Sequence, residues 1–554
     1  MEKYLLLLFL SCCGAFTICG AQTVTVRGRV IDRKTGEVLS DANVADLVLG
    51  TGVATNSYGL YSIHVKSKQC ILRCSMLGYA TKIDTLTLAV NMVHDFALMP
   101  DNYQLNDVEI VGERKFGGQL ALTQKEIQSF PTLGSEPDVL KSLQYLPGVI
   151  SGNEGTNNIS VRGSDQWGNL VLLDEAMVYN PNHALSFFSV FNNDAIQQVN
   201  LYKSYFPLMY GGRTSSVIDV RMREGNNQEK HRSATIGVIA SKLQLEGPIK
   251  RGKTSYLLST RFAYPGAILG VLERFRGTKM NFYDINAKIN STLNDRNRFF
   301  FSIYNGGDHT YFNQLVRGYG MNWGNTTATF RWNHVLTDKT SGNLSAIFSN
   351  YYYRYKSMAD GMKYLWKSNM QSYQLKYDVD YAFSNMLHIK SGLSGHTFTI
   401  MPGGIDNWGD LNNVVPYRMN RRRLLDIAAY GEISYEISPR WQFNGGIRLS
   451  TIYSPKVSTY KQKCYVMPEP RAELSYFPGK GDKLHVAFTQ SSQSLHMLSN
   501  SSVGIPSDIW IPVNGRVKPA VMKQMAIGYK KNWAKGAYSF SMEAYYRKTN
   551  HIVD

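Results

Sequence analysis

Disulfide chemistry is the first thing this 554-residue chain lacks. It has six cysteines, and Cys12, Cys13 and Cys19 fall within its opening segment. Cys70 and Cys74 share one strand-like run, CILRCSML, too far apart along an extended backbone to bridge easily, and Cys464 stands alone. No CxxC pair occurs, so redox and zinc frameworks have no footing, and no cofactor or metal is expected. Long apolar runs are missing beyond the first residues, which excludes membrane-crossing helices. An extended basic run is missing too. The 60 Lys and Arg that give a net charge of +18 are dispersed, so anionic lipid head groups and lipopolysaccharide suit the chain, and no nucleic-acid partner is expected.

What is present begins with MEKYLLLLFLSCCGAFTICGAQ: Lys3, an apolar run from Tyr4 to Cys19, then Gly20 and Ala21. The run is shorter than the ~20 apolar residues of a spanning helix and has a small-residue exit, so 1–21 reads as a secretory signal. An exported chain without apolar helices is either soluble or a β-barrel.

Residues 22–100 alternate apolar and polar positions, as in VTVRGRVIDRKTGEVLSDANV and NSYGLYSIHV, between Gly and Asn turns. That is the pattern of a small β-sandwich. Residues 101–115 hold YQLNDVEIVGERK, in which Leu105, Val108, Ile110 and Val111 are β-prone and Asp107 and Glu109 interrupt them. The segment reads either as a linker strand or as an exposed stretch that pairs with another protein's sheet edge. Residues 116–227 mix helix and strand. In SEPDVLKSLQYLPGV, Ser135 can cap a helix whose Val139, Leu140, Leu143 and Leu146 share one face, and Pro147-Gly148 ends it. A second short helix starts at Asn192 to Asp194, and a YGGR turn at 210–213 precedes the last strand.

From 228 to 554 the period is two. In YDINAKINSTL, Tyr283, Ile285 and Ile289 oppose Asp284, Asn286, Lys288 and Asn290. QLKYDVDYAF, LDIAAYGEISYEI and AYSFSMEAYY repeat the scheme, which predicts roughly fourteen or fifteen strands. Strands of ~10 residues or more, aromatic clusters such as YYYRY at 351–355 with Trp332 and Trp441, and short turns alternating with long loops favour a membrane barrel over a soluble sandwich. The long loops are expected at 356–370, 400–423 and 493–519.

These residues carry resemblances. GRVIDRKTGEVLSDANV, ATNSYGLYSI and LGYAT are similar to the carboxypeptidase regulatory-like domain, a transthyretin-like sandwich, although no His-x-x-Glu zinc pair supports a peptidase. DVLKSLQYLPGV, ISVRGSDQWGNLVLLDEAMVY, YNPNHALSFFSVFNNDAIQQVNLYK and YGGRTSSVIDV resemble the plug domain of TonB-dependent outer-membrane receptors. The 105–111 stretch resembles the TonB box. The resemblance implies a mainly β chain: sandwich, α/β plug, then an antiparallel transmembrane barrel. Family barrels close with about 22 strands, so the chain reads as a barrel cut short by roughly a third. It implies no enzyme, a TonB-type partner gripping Leu105, Asp107, Val108, Glu109, Ile110 and Val111, and import of a siderophore, cobalamin, glycan or peptide. Ligand would bind on loops near 306–324, 400–423 and 493–519. The alternatives are a ligand-sensing receptor, a SusC-like importer with a SusD-like lipoprotein and, remotely, an exported peptidase.

Within the plug, Arg162, Gly163, Asp174, Gly211, Gly212 and Arg213 are the candidate anchors. Arg162 and Asp174 read either as charges paired within the plug or with the barrel lumen, or as a plain core pair. His183 reads as a turn or packing residue. The family pattern has Asp-Gly where Asp174-Glu175 stands and Lys-Gly where Lys203-Ser204 stands, so the local turns are expected to differ.

Overall fold

A computed structural model describes residues 24–553, except 67–68, 77, 102–117, 132–135, 153–155, 274–275, 314–317, 360–361, 408–414, 458–460, 480, 499–508 and 534–537. The signal-like segment, Ser135 and the TonB-box-like residues 105–111 lie outside the described residues.

Alternation in the first region closes a two-sheet sandwich. Val24–Asp32 lies between Leu60–Val65 and Met92–Val93, and Phe96–Leu98 also pairs with it; Asn43–Asp46 and Gln69–Ser75 form the middle of the second sheet. Val26, Val30, Val44, Ile63, Leu72 and Phe96 fill the space between the sheets. Cys70 and Cys74 are buried there as free thiols.

The second region is a five-stranded mixed sheet, ordered Ala176–Met177, Leu170–Leu173, Val217–Met222, Ile196–Tyr202 and Gln119–Thr123. Only the Leu170–Leu173 and Val217–Met222 pair is parallel. The helix Val139–Gln144 buries Val139, Leu140 and Leu143 against this sheet. Its cap is Asp138, whose Oδ1 accepts from the Lys141 amide at 3.0 Å. The cap therefore stands three residues later than the expected Ser135, directly before the apolar run, where the first free amides need an acceptor.

The third region wraps this plug with a sheet whose path takes fifteen strands in succession, each antiparallel to the next, from His231–Ile236 to Tyr538–Asn550. The two end strands do not pair with each other among the described residues. The wall is inside out relative to a soluble sheet. On Lys279–Asn294, Ile285 and Ile289 are 42% and 45% exposed while Asp284 and Asn286 are 0% and 1%. On Arg422–Ser438, Ile427 and Ile433 face outward and Asp426 and Glu432 are buried. Hydrocarbon outside and a polar filled lumen inside require this arrangement.

Several expected loops are strand. Thr340–Ala359 and Met362–Ala382 pair as far as Ala359 with Met362, so 356–359 and 362–370 are paired strand. The strands Asn297–Asn313 and Gly318–Thr337 likewise occupy most of 306–324, and Leu387–Asn407 enters 400–423. Beyond the bilayer no apolar face is required, so polar residues such as Arg354 and Lys356 break the alternation while backbone pairing continues. In 493–519, Leu495–Leu498 and Ile509–Pro512 form a hairpin that folds inward. The YYYRY cluster is also not a lipid-side girdle throughout: Tyr351 and Tyr353 are buried with Trp323 and Phe398, and Tyr352 takes the opposite face. Trp332 and Trp441 keep outward positions near the turns at 295–296 and 439–440.

Ile285→Lys places a charge on the lipid face near mid-strand. It should cost about 2–4 kcal/mol of folding free energy in lipid vesicles, read from the denaturant midpoint of the embedded protein.

Candidate functional site

The strand Ile159–Val161 ends in a turn with Arg162 at φ 57° and Gly163 at φ 70°. That turn sends the Arg162 side chain to the wall. One Nη lies 2.5 Å from Glu543 Oε2 and donates to Ser204 Oγ at 2.7 Å. The guanidinium sits 4.6 Å from the Tyr545 ring centre. Ser204, at one of the two departures from the family pattern, donates its own hydroxyl hydrogen to Glu543. Beside it, burial and Arg162 push the Lys203 ammonium down to about 8 against the opposing pull of Glu543.

The strand Leu170–Leu173 runs into the second departure. Asp174 Oδ2 meets Lys288 of the wall at 2.9 Å, and its Oδ1 accepts from the Met222 amide at 3.0 Å. Burial would raise the Asp174 carboxyl, but Lys288 and Arg331 outweigh it and hold the group below its ordinary range. The plug charges Arg162 and Asp174 thus both pair with the lumen and not with each other.

Glu175 has φ 73°, the left-handed conformation that glycine favours. The turn therefore keeps its glycine-like shape, contrary to expectation, at a cost of roughly 1–2 kcal/mol. What the side chain gains is a junction. Its carboxylate lies 3.0 Å from Arg331 Nε and 3.5 Å from Lys376 Nζ of the wall, and it accepts from the Tyr58 hydroxyl of the sandwich at 3.1 Å. Burial alone would raise this carboxyl; Arg331, Lys376 and Arg221 hold it far below the usual range. One side chain joins all three regions.

The sandwich is docked by further contacts. Arg27 pairs with Asp338 at 2.8 Å, Asn385 donates to the His64 carbonyl at 2.7 Å, and Glu37 accepts from the Glu224 amide at 2.8 Å. Asp338 and Asn385 stand in short wall turns, so these turns mark the sandwich-facing end of the barrel.

His183 is not merely a packing residue. Its ring stacks on Phe282 with centroids 4.4 Å apart, and its two nitrogens lie 2.5 Å from Asp308 and 2.7 Å from Asp284. Arg261 joins Asp284 at 2.6 Å and Glu136 at 3.2 Å. Burial lowers the basicity of His183, but the two aspartates outweigh it and raise it to about 9. The next three residues, Ala184, Leu185 and Ser186, all have positive φ, a strained run of non-glycine residues. Asp308 fixes it from the wall by accepting from the Ala184 amide at 2.7 Å. A histidine followed by no glycine gives no sequence sign of this; its partners lie more than a hundred residues away.

Gly211, Gly212 and Arg213 form a plug turn against the middle of the wall. The Arg213 guanidinium lies 5.0 Å from the ring centre of Trp510 on the in-folded hairpin, and Trp510 meets Trp167 of the plug edge-on at 5.9 Å. Arg162, Asp174 and Gly211–Arg213 lie at the plug–wall boundary, Gly163 is exposed beside Arg162, and 105–111 is outside the described residues.

A polar-lined wall with apolar residues outward, filled by a charged globule, defines a plugged outer-membrane β-barrel. The family comparisons agree: CarboxypepD_reg-like domain matches residues 26–110, TonB-dependent Receptor Plug Domain 120–217, and TonB dependent receptor-like, beta-barrel 267–554. The last covers more than half of the chain, and the protein belongs to the TonB-dependent receptors, an outer-membrane family of transporters and receptors rather than enzymes, with the plug facing the periplasm. No curated protein matches it. Among solved structures, the ferric preacinetobactin receptor BauA of Acinetobacter baumannii is similar at 10% identity and TM-score 0.58, covering 77% of this chain and 70% of its own. The copper transporter OprC gives 11%, 0.59, 77% and 70%. The ferric-catecholate import receptor Fiu of E. coli, closed form, gives 14%, 0.56, 79% and 74%. These identities show likeness of fold.

Glu175→Gly should relieve the turn yet leave Arg331 and Lys376 short of a counter-charge. The net loss expected in chemical denaturation is about 2 kcal/mol, the 3–5 kcal/mol of a broken buried pair less the strain removed, with faster proteolytic release of the sandwich. For His183, a folded pKa raised above the ordinary ~6.5 means stabilisation that is full below that pH and lost as pH rises through about 9. Hydrogen exchange of the plug followed from pH 6 to 10 should therefore quicken across that window beyond its intrinsic pH dependence, and His183→Gln should flatten the excess.

Proposed function

We propose that this chain is an energised importer of a scarce nutrient, a siderophore, cobalamin, glycan or peptide, and that its plug is moved rather than merely seated. The carrying observation is that the plug meets the wall through buried charge pairs: Arg162 with Glu543, Asp174 with Lys288, Glu175 with Arg331, and His183 with Asp284 and Asp308. Buried pairs add little net stability over an apolar contact of equal area, so they specify position without sealing it permanently. In this reading Arg162, Gly163, Asp174, Gly211, Gly212 and Arg213 anchor the resting plug. A TonB-type protein pairs with Leu105, Asp107, Val108, Glu109, Ile110 and Val111 as an added strand and pulls.

Ligand would arrive on the side away from the sandwich, where Trp167 and Tyr179 of the plug meet Trp323, Tyr353 and Trp510 in one aromatic cluster. Displacement of the 495–512 hairpin by ligand would tell the plug that the site is filled. Ferric siderophores and copper are what the similar solved structures handle by name, which makes metal uptake the first nutrient to try. A SusC-like importer would need a SusD-like lipoprotein as its lid, and a sensing receptor would bind ligand without accumulating it.

Val108→Pro with Ile110→Pro removes strand donors from the gripping segment. Growth on limiting iron, cobalamin or a defined glycan or peptide should fail on one source while surface binding of that ligand persists. Unchanged growth on every source would refute energised import through 105–111. Loss of growth only when a neighbouring lipoprotein is also deleted would favour the SusC-like form.

A further inference from the structure

Midway along the lumen, the Gly211–Gly212–Arg213 turn and the wall enclose a cavity whose charges do not balance. Arg213 borders it from the plug, and Gln374, Ser394, His396, Asp426 and Arg448 border it from the wall. Arg213 and Arg448 are each 5% exposed. No carboxylate of the described residues comes within ion-pair distance of either guanidinium. Arg213 donates only to the Leu495 carbonyl at 3.3 Å and the Met177 sulfur at 3.8 Å. Arg448 donates to the Leu208 carbonyl at 3.3 Å and Ser450 Oγ at 3.2 Å. Both line this one space together with His396.

The other charges at the rim are already committed. Lys376 pairs with Asp378 at 3.0 Å and with Glu175 at 3.5 Å, and Glu175 with Arg331 at 3.0 Å. Asp426 is the remaining carboxylate, and its Oδ1 is buried without a hydrogen-bond partner. Two guanidiniums against one carboxylate leave a single positive charge among largely buried side chains. Buried charge of this kind calls for a counter-charge. The approach of Arg448 is built into the plug: a Cβ at Gly211 would collide with its Nε. Aromatic faces hold the two guanidiniums in place, Trp510 at 5.0 Å from Arg213 and Tyr430 at 5.3 Å from Arg448.

We infer that this cavity is a binding site for one carboxylate group, seated between Arg213 and Arg448 on the path past the plug. Planar guanidinium forks match the two oxygens of a carboxylate. The single excess charge fits a monoanion better than a phosphate dianion, and Gln374 and Ser394 supply further donors. The inference deepens the import reading, on which the ligand's passage rests: the nutrient, or its chelating part, carries a carboxylate. Occupancy itself needs neither energy nor TonB.

The test is calorimetric titration of the purified protein in detergent with acetate, at constant ionic strength set by sodium fluoride, with tetramethylammonium as the cation control. Saturable acetate binding to the wild type is expected, with no response to the cation. Arg448→Gln should weaken it by about tenfold or more, equivalent to about 1.4 kcal/mol. Asp426→Asn should tighten it several-fold, because the competing carboxylate is gone. Absence of saturable acetate binding to the wild type, or an Asp426→Asn variant that binds no tighter, overturns the site. Should Arg448→Gln fail to fold, the sign of the Asp426→Asn change decides alone. Nutrient accumulation in energised cells is not read in this titration, so its failure leaves import standing.

Discussion

A wall that must turn its apolar side chains toward lipid leaves its polar side chains facing inward, and that constraint shapes every other part of this molecule. Asp284, Asn286, Lys288, Arg331, Asp426 and Glu432 are buried on the lumen side of the strands. Such groups need partners or water. The plug supplies many of the partners, which is why its own surface is charged where an ordinary domain of its size would be neutral or apolar at a contact of this extent. The contact that positions the plug is in large part ionic because the bilayer has already claimed the apolar faces.

Glu175 shows how tightly the three regions are coupled. A left-handed turn position accepts a glutamate only when the surroundings hold it there. Here Arg331 and Lys376 hold it from the wall and Tyr58 from the sandwich. The Tyr58 ring also lies 5.3 Å from the Arg331 guanidinium. Movement of the plug at this turn therefore disturbs the sandwich, and withdrawal of the sandwich loosens the plug. The N-terminal domain is thus tied to plug and wall alike.

The sequence was most legible where one environment acts on a long stretch. Lipid on one side and lumen on the other impose the period of two on Lys279–Asn294 and Arg422–Ser438, and the strands were readable for that reason. The same signal vanishes where the environment becomes uniform, so the strand ends around 306–324 and 356–370 read as loops although backbone pairing continues. Arg162 and Asp174 stood out because a charge in an apolar run is locally odd. Their partners Glu543 and Lys288 lie 381 and 114 residues further on, and no local pattern links them. His183 reads as a packing residue for the same reason: its character comes from Asp284 and Asp308, two residues on neighbouring wall strands. Glu175 and Ser204 were visible only as departures from a family pattern, and both prove to be contact residues.

Ionic docking also changes how a plug gives way under load. An apolar face resists until much of it has parted, since its stabilisation scales with the area kept from water. A charge pair behaves differently. Once a first gap admits water, the local dielectric rises and the attraction between neighbouring charges falls steeply. Release at one pair therefore weakens the next, and yielding can spread across the interface from wherever the pull is applied. Gln119–Thr123, the first strand of the plug, is the edge strand of its sheet. That strand pairs with Ile196–Tyr202, which leads directly to Lys203 and Ser204 and so to the Arg162–Glu543 contact. Under the import proposal, a pull on the edge strand would reach the Ser204 side of the plug before the Glu175 junction, which lies on the strand pair at the opposite edge of the sheet.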